Sequence, residues 1–144
     1  MLQDATLRAR LAQGGAVPGD ARIRQAHDFF VHMLLSNSVL PTEVNGKIVY
    51  QSMSPEEEAL CAACAECGYV LRERDAGRAR VEINQVEREF EILNVLEFNS
   101  TRKRMSVIVR DAATQRIQLL CKVDYGIFER KQSGACVRAI DVAF

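Results

Sequence analysis

Three groups of residues in this chain are of types that do chemistry. Cysteines stand at Cys61, Cys64 and Cys67. That spacing is the one that opens an iron–sulfur run, which also needs a nearby fourth cysteine followed by proline. Neither follows here. The segment from Glu56 to Cys67 is rich in Ala and Glu and reads as a helix, on which the three thiols spiral around the axis rather than converge. Small buried cysteines packing like alanines are therefore expected, with a cysteine-based metal module as the alternative. His27 and His32 lie five apart, a spacing that does not bring them to one helix face, and no carboxylate motif accompanies them. Surface or hydrogen-bonded histidines are expected. The third group is Leu96-Glu97-Phe98-Asn99-Ser100-Thr101-Arg102-Lys103-Arg104-Met105-Ser106-Val107-Ile108-Val109. Two readings fit it. In one, a hairpin has a solvated turn and Phe98 in the core, and periodicity by itself favours this. In the other, the stretch lines a nucleotide pocket. Phe98 at a strand end stacks on a flat base, Lys103 faces a polyphosphate, and a nearby carboxylate accepts a hydrogen bond from an exocyclic amine.

The elements that must hold these residues are legible from periodicity. Residues 1–19 end in Gly14, Gly15, Pro18 and Gly19, a breaker cluster that leaves a poorly defined N-terminal segment. From Asp20, Ile23, Ala26, Phe30 and Leu34 recur at helical spacing, with Phe29, Met33 and Leu35 widening the apolar face, until Pro41 ends the stretch. Asn45-Gly46 predicts a turn and Lys47–Gln51 a short strand. Ser54-Pro55-Glu56-Glu57 is a helix start: Ser54 caps, Pro55 suits the first helical position, and acids meet the positive end of the dipole. Gly68 stops that helix. From Tyr69 the period changes to two. Phe90, Ile92, Leu96 and Phe98 fall on one side of a strand, and residues 104–110 and 116–122 read as a β-hairpin. Tyr125–Lys131 suggests a short helix and Cys136–Phe144 a last strand. Helices followed by an antiparallel run of strands give an α+β fold, a sheet flanked by helices.

Composition bounds the rest. The chain of 144 residues has room for one domain, residues 20–144. Lys plus Arg number 19, as do Asp plus Glu, so no basic excess points to nucleic acid. The run around Phe29–Leu40 is broken by His32, Ser36, Asn37 and Ser38, so no bilayer span is expected. The first ten residues hold no signal-peptide core. Five cysteines, an odd number, fit reduced thiols in a cytosolic setting.

Several segments, in order, resemble a known family. Glu97-Phe98-Asn99-Ser100-Thr101-Arg102-Lys103-Arg104-Met105-Ser106-Val107 is similar to the segment of P-type ATPases that follows a strand into the nucleotide pocket. With Leu93-Asn94-Val95-Leu96 before it, the stretch is most similar to the phospholipid flippases, the P4 subfamily. Tyr50-Gln51-Ser52-Met53-Ser54-Pro55-Glu56-Glu57 resembles their helix-start motif, and Phe29-Phe30 through Ser36-Asn37-Ser38-Val39-Leu40-Pro41 the helix before it. Leu119-Leu120-Cys121-Lys122 and Ile127-Phe128-Glu129-Arg130 resemble the elements after the hairpin.

The resemblance implies an ATP-binding domain with the nucleotide-binding fold of that family. It implies that Phe98 stacks on adenine, that Glu57 lies near the adenine amino group, that Lys103 and Lys122 line the pocket, and that Ser100 and Met105 form its wall. Val123-Asp124-Tyr125 replaces the family's Gly-Ala-Asp, and Val123 is expected to crowd the base. Glu58 stands where the family has a small residue. The phosphorylated Asp-Lys-Thr-Gly-Thr motif is absent from the chain. The expected role is therefore to present Mg-ATP, with Mg2+ accompanying the nucleotide, to a separate phosphorylation domain. Further partners would be the actuator and transmembrane domains of a parent membrane protein, on its cytosolic side. The alternative is the same fold serving as an interaction module after losing nucleotide binding.

Overall fold

A computed structural model describes residues 21–123 and 138–141, the latter as backbone only, besides Ala9. The expected helix Tyr125–Lys131 lies outside the described residues, as do residues 1–8 and 10–20. The elements run α1 (Ala21–Leu35), β1 (Leu40–Val44), β2 (Lys47–Gln51), α2 (Pro55–Glu66), β3 (Tyr69–Arg74), β4 (Arg78–Ile83), β5 (Val86–Asn99), β6 (Arg104–Asp111), β7 (Ile117–Val123) and β8 (Arg138–Asp141). This is the expected α+β arrangement. The strands β3 to β8 form an antiparallel sheet in sequence order, and β1–β2 form a separate hairpin. The last strand falls inside the stretch Cys136–Phe144 foreseen for it.

The helix α1 stops at Leu35, before Pro41, and the stretch from Leu40 becomes a strand. Asn37 explains the early stop. Its side-chain amide donates to the carbonyls of Met33 (2.7 Å) and Leu34 (3.0 Å), groups a helix end leaves without partners. Arg74 on β3 reaches the same end, donating to Leu34 O at 3.3 Å and Leu35 O at 2.9 Å. Pro41 then sits in β1, which pairs only with β2, where a missing N–H is tolerated.

One face of the large sheet carries Tyr69, Leu71, Ala79, Val81, Val107 and Val109, all fully buried, and the helices cover it with Ile23, Leu34, Leu35 and Cys61. Phe30 stacks on Tyr69 with ring centroids 4.9 Å apart. Each fully buried aliphatic side chain contributes about 2 kcal/mol by leaving water. The three helix cysteines are buried in this core as expected, and burial pushes the Cys64 thiol up to about 12. Phe29 is the exception on α1, lying at the surface edge of the apolar face.

The long strand β5 departs from the simple alternation. Ile92 faces Val109 and Asn94 faces Ile108, so Leu93 is an extra residue. Leu96 faces Ser106 and Asn99 faces Arg104, so Glu97 and Phe98 together oppose Met105. Two bulges therefore interrupt the strand. Past the first, Val95 takes the core-facing position opposite Val107, and Leu96 turns outward, contrary to the alternation read from sequence. Past the second, the pleat returns Phe98 to the side of Met105.

Gly68 ends α2 at φ +87°, a left-handed position that only glycine adopts freely. A β-carbon there would stand 2.4 Å from Asn84 Oδ1. Gly68→Ala is expected to destabilise the domain by at least about 1 kcal/mol, read by urea denaturation. A variant as stable as the parent would show that the α2–β3 junction relaxes freely.

Candidate nucleotide site

The N-terminus of α2 is built as the sequence foretold. Ser54 is the N-cap, its hydroxyl accepting from the Glu57 amide at 3.4 Å, and Pro55 opens the helix. This fixes Glu57 on the first turn. Its carboxylate meets the Lys122 ammonium, with Nζ 2.5 Å from Oε1, across 65 residues of sequence. Lys122 lies on β7 directly opposite Met105 on β6. Opposed residues share a face, so Lys122 projects to the helix-covered side, where α2 supplies Glu57.

The six residues singled out by sequence thus fall into two groups. Glu57 pairs with Lys122, and Met105 stands opposite Lys122 near the ends of β6 and β7. Phe98 stands near the end of β5, and Ser100 and Lys103 lie in the β5–β6 turn that leads to Met105. That turn is tied by Asn99, whose side chain accepts from the Arg102 amide at 2.7 Å and whose carbonyl accepts from the Lys103 amide at 2.8 Å. Ser100 and Lys103 are exposed, and Lys103 adopts φ +54°. Phe98 is not core: it is 52% exposed. A large aromatic left half in water at a strand end, opposite a buried methionine, offers a stacking surface that none of the described residues is shown to cover.

Val123 does not lie on this face. It opposes Arg104, so the pleat turns it away from Met105 and Lys122. Glu58 has its own task, with Oε1 accepting from the Ser52 amide at 2.7 Å and so bracing the loop before α2.

The electrostatics of Glu57 are those of a committed anion. Burial by itself would raise its pKa, but hydrogen bonds from Lys122 and from the hydroxyl and amide of Ser38 outweigh that and hold it below the ordinary value. Sequence reading missed Ser38 and Ser52 as partners of Glu57. Ser38 stood in the segment matched only as a helix, and no local signal ties it to a residue 19 positions on.

A cleft of about 180 Å³ is lined by His27, His32, Arg88, Phe90, Asp111 and Gln118 among others, and by none of the six residues above. His32, on its wall, is neither at the surface nor hydrogen-bonded as expected. It is 1% exposed and neither ring nitrogen makes a well-formed hydrogen bond. No group of three or more His, Cys, Asp or Glu side chains among the described residues is placed to hold a metal ion.

Residues 27–125 match the family described as P-type ATPase, cytoplasmic domain N. The chain belongs to this family. Its domain N is similar to the phospholipid-transporting ATPase IC of Xenopus tropicalis, at 37% identity over 74% of this chain and 9% of that protein. It is also similar to the phospholipid-transporting ATPase tat-1 of Caenorhabditis elegans, at 36% over 81% of this chain and 10% of the relative. A probable phospholipid-transporting ATPase of Arabidopsis thaliana, number 7, shares 46% over 61% of this chain and 7% of its own length. This domain N therefore spans about a tenth of the length of such relatives. Among its described residues, no helix is long and apolar enough to cross a membrane.

Proposed function

We propose that this domain N binds ATP and presents it to a phosphorylation domain of a phospholipid-transporting P-type ATPase. The observation that carries the reading is the Glu57–Lys122 pair set on the same sheet face as Met105 and the half-exposed Phe98. Adenine is flat and apolar on its faces, and Phe98 supplies the matching surface. The amino group of adenine needs an acceptor, which Glu57 provides. Lys122 holds Glu57 at the base, and Lys103 adds positive charge toward the phosphates without enclosing them. Mg2+ arrives as the counter-ion of the triphosphate, as part of the substrate. Such an open site gives modest affinity, which suits a domain that must release the nucleotide to a neighbour. Phospholipid transport belongs to the parent, and the names of the relatives support it; a membrane location of the parent follows from a lipid cargo.

The test is an NMR titration of the 144-residue chain with Mg-ATP. Shift changes centred on Phe98, Lys103, Met105 and Lys122 are expected at up to millimolar nucleotide. Silence across that range would overturn ATP binding and leave the fold as an interaction module.

A further inference from the structure

Glu57 is held by more than its lysine. A carboxylate offers about four acceptor sites, two on each oxygen. On Oε2, the Ser38 hydroxyl donates at 2.7 Å and the Ser38 amide at 3.0 Å. The Ser52 hydroxyl reaches the same oxygen at 3.4 Å. Both acceptor sites of Oε2 are therefore taken. On Oε1, Lys122 occupies one site at 2.5 Å, and among the described residues no other donor takes the second.

Ser38 is itself fixed. Its neighbour Asn37 is buried, bonded through Nδ2 to the end of α1, and through Oδ1 to the Val39 amide at 2.9 Å and to Arg74 at 3.2 Å. The loop that carries Ser38 is thus pinned on both sides of the serine. Ser38 is exposed, so its hydroxyl can be removed without opening a hole in the core.

We infer that Ser38 is a positioning residue that sets base selectivity: by filling Oε2, it turns the single remaining acceptor of Glu57, on Oε1, toward the bound base. This rests on the ATP-binding reading above. A carboxylate can only accept. It therefore suits a purine that presents an amino donor at position 6. It opposes a purine that presents a carbonyl there, because two acceptors then face each other and neither is satisfied. Without the Ser38 hydroxyl, the carboxylate keeps the Ser38 amide but loses its shortest bond on Oε2, so its aim loosens and its preference for the amino group weakens.

The test compares ATP with inosine triphosphate, which carries a 6-oxo group and an N1–H where adenine has its 6-amino group and a bare N1. Dissociation constants are measured by calorimetry for the whole chain, for Ser38→Ala and for Ser38→Thr. The parent is expected to prefer ATP by about tenfold, the effect of roughly one satisfied hydrogen bond. In Ser38→Ala that ratio should shrink at least about threefold, with inosine triphosphate affinity unchanged, because the amide still donates. Ser38→Thr keeps the hydroxyl and should restore the ratio. Equal weakening of both nucleotides in Ser38→Ala would show a merely structural role and overturn the inference. So would a parent that binds both nucleotides equally well. A parent that binds neither would overturn the ATP-binding reading itself, and this inference with it.

Discussion

Lowering the pH from 7 to 4 should cost this domain about 3 kcal/mol through His32 alone. The ring is buried, and burial first and the nearby charge of Lys122 second push its pKa down to about 4, an effect the backbone at Cys121 offsets only in part. An unfolded chain protonates the same ring near 6.5. Between those values the unfolded state binds the extra proton, so stability falls as pH falls. Above 6.5 both states are neutral, and below 4 both are charged, so this ring's slope is confined to that window. The shift converts at about 1.4 kcal/mol per unit. His27 is also depressed, chiefly by burial, and acts in the same direction. Glu57 and Asp111, held below the ordinary 4.5 and 3.8, begin to add their own losses as pH falls through those ordinary values, at the acid end of this window and below it. The measurement is urea denaturation at pH 7 and pH 4.5 for the parent and for His32→Leu. The parent should lose about 2 to 3 kcal/mol more than the variant over that interval. Identical losses would place the pH sensitivity elsewhere.

Phe98→Ala is expected to weaken ATP binding by about 2 kcal/mol, roughly thirtyfold in Kd, while leaving stability nearly unchanged. The two halves of this expectation have one cause. A side chain 52% exposed has little packing to lose when truncated. A base that stacks on it loses a whole face of contact. Phe90, on the same strand but 4% exposed, provides the contrast: its truncation should cost about 3 to 5 kcal/mol of stability. Calorimetric titration with ATP and urea denaturation of the Phe98 variant check both halves. Unchanged affinity would remove Phe98 from the site, and a large loss of stability would make it a core residue after all.

The sequence made some of this legible and hid the rest for definite reasons. The start of α2 was readable because capping is local: Ser54, Pro55 and the following acids act within one turn. The β6–β7 hairpin was readable because a polar turn at 111–115 separates two apolar-rich runs. The strand β1 was hidden because Leu40-Pro41 reads as a breaker, and only its pairing with β2 shows an edge position that tolerates proline. Leu96 was misplaced because a bulge leaves no mark in an alternating apolar run. His32 was misjudged because burial depends on what packs over α1, not on helical spacing. Within the candidate site, Phe98 and Lys103 were named from the strand end and its basic turn, and Glu57 and Lys122 from the resemblance. Ser38 and Ser52 were not, because their value lies in where one carboxylate oxygen points, and the fold alone decides that.

The two extra residues in β5 form a compensating pair. Each inverts the inside-outside sense of everything beyond it, so one alone would leave Phe98 on the wrong side of the sheet. Together they cancel, and the strand arrives at its end with the sense it began with. Between them only the short stretch around Val95 and Leu96 runs inverted. The aim of the aromatic ring is thus decided by arithmetic: an even number of insertions along this strand preserves it, and an odd number reverses it.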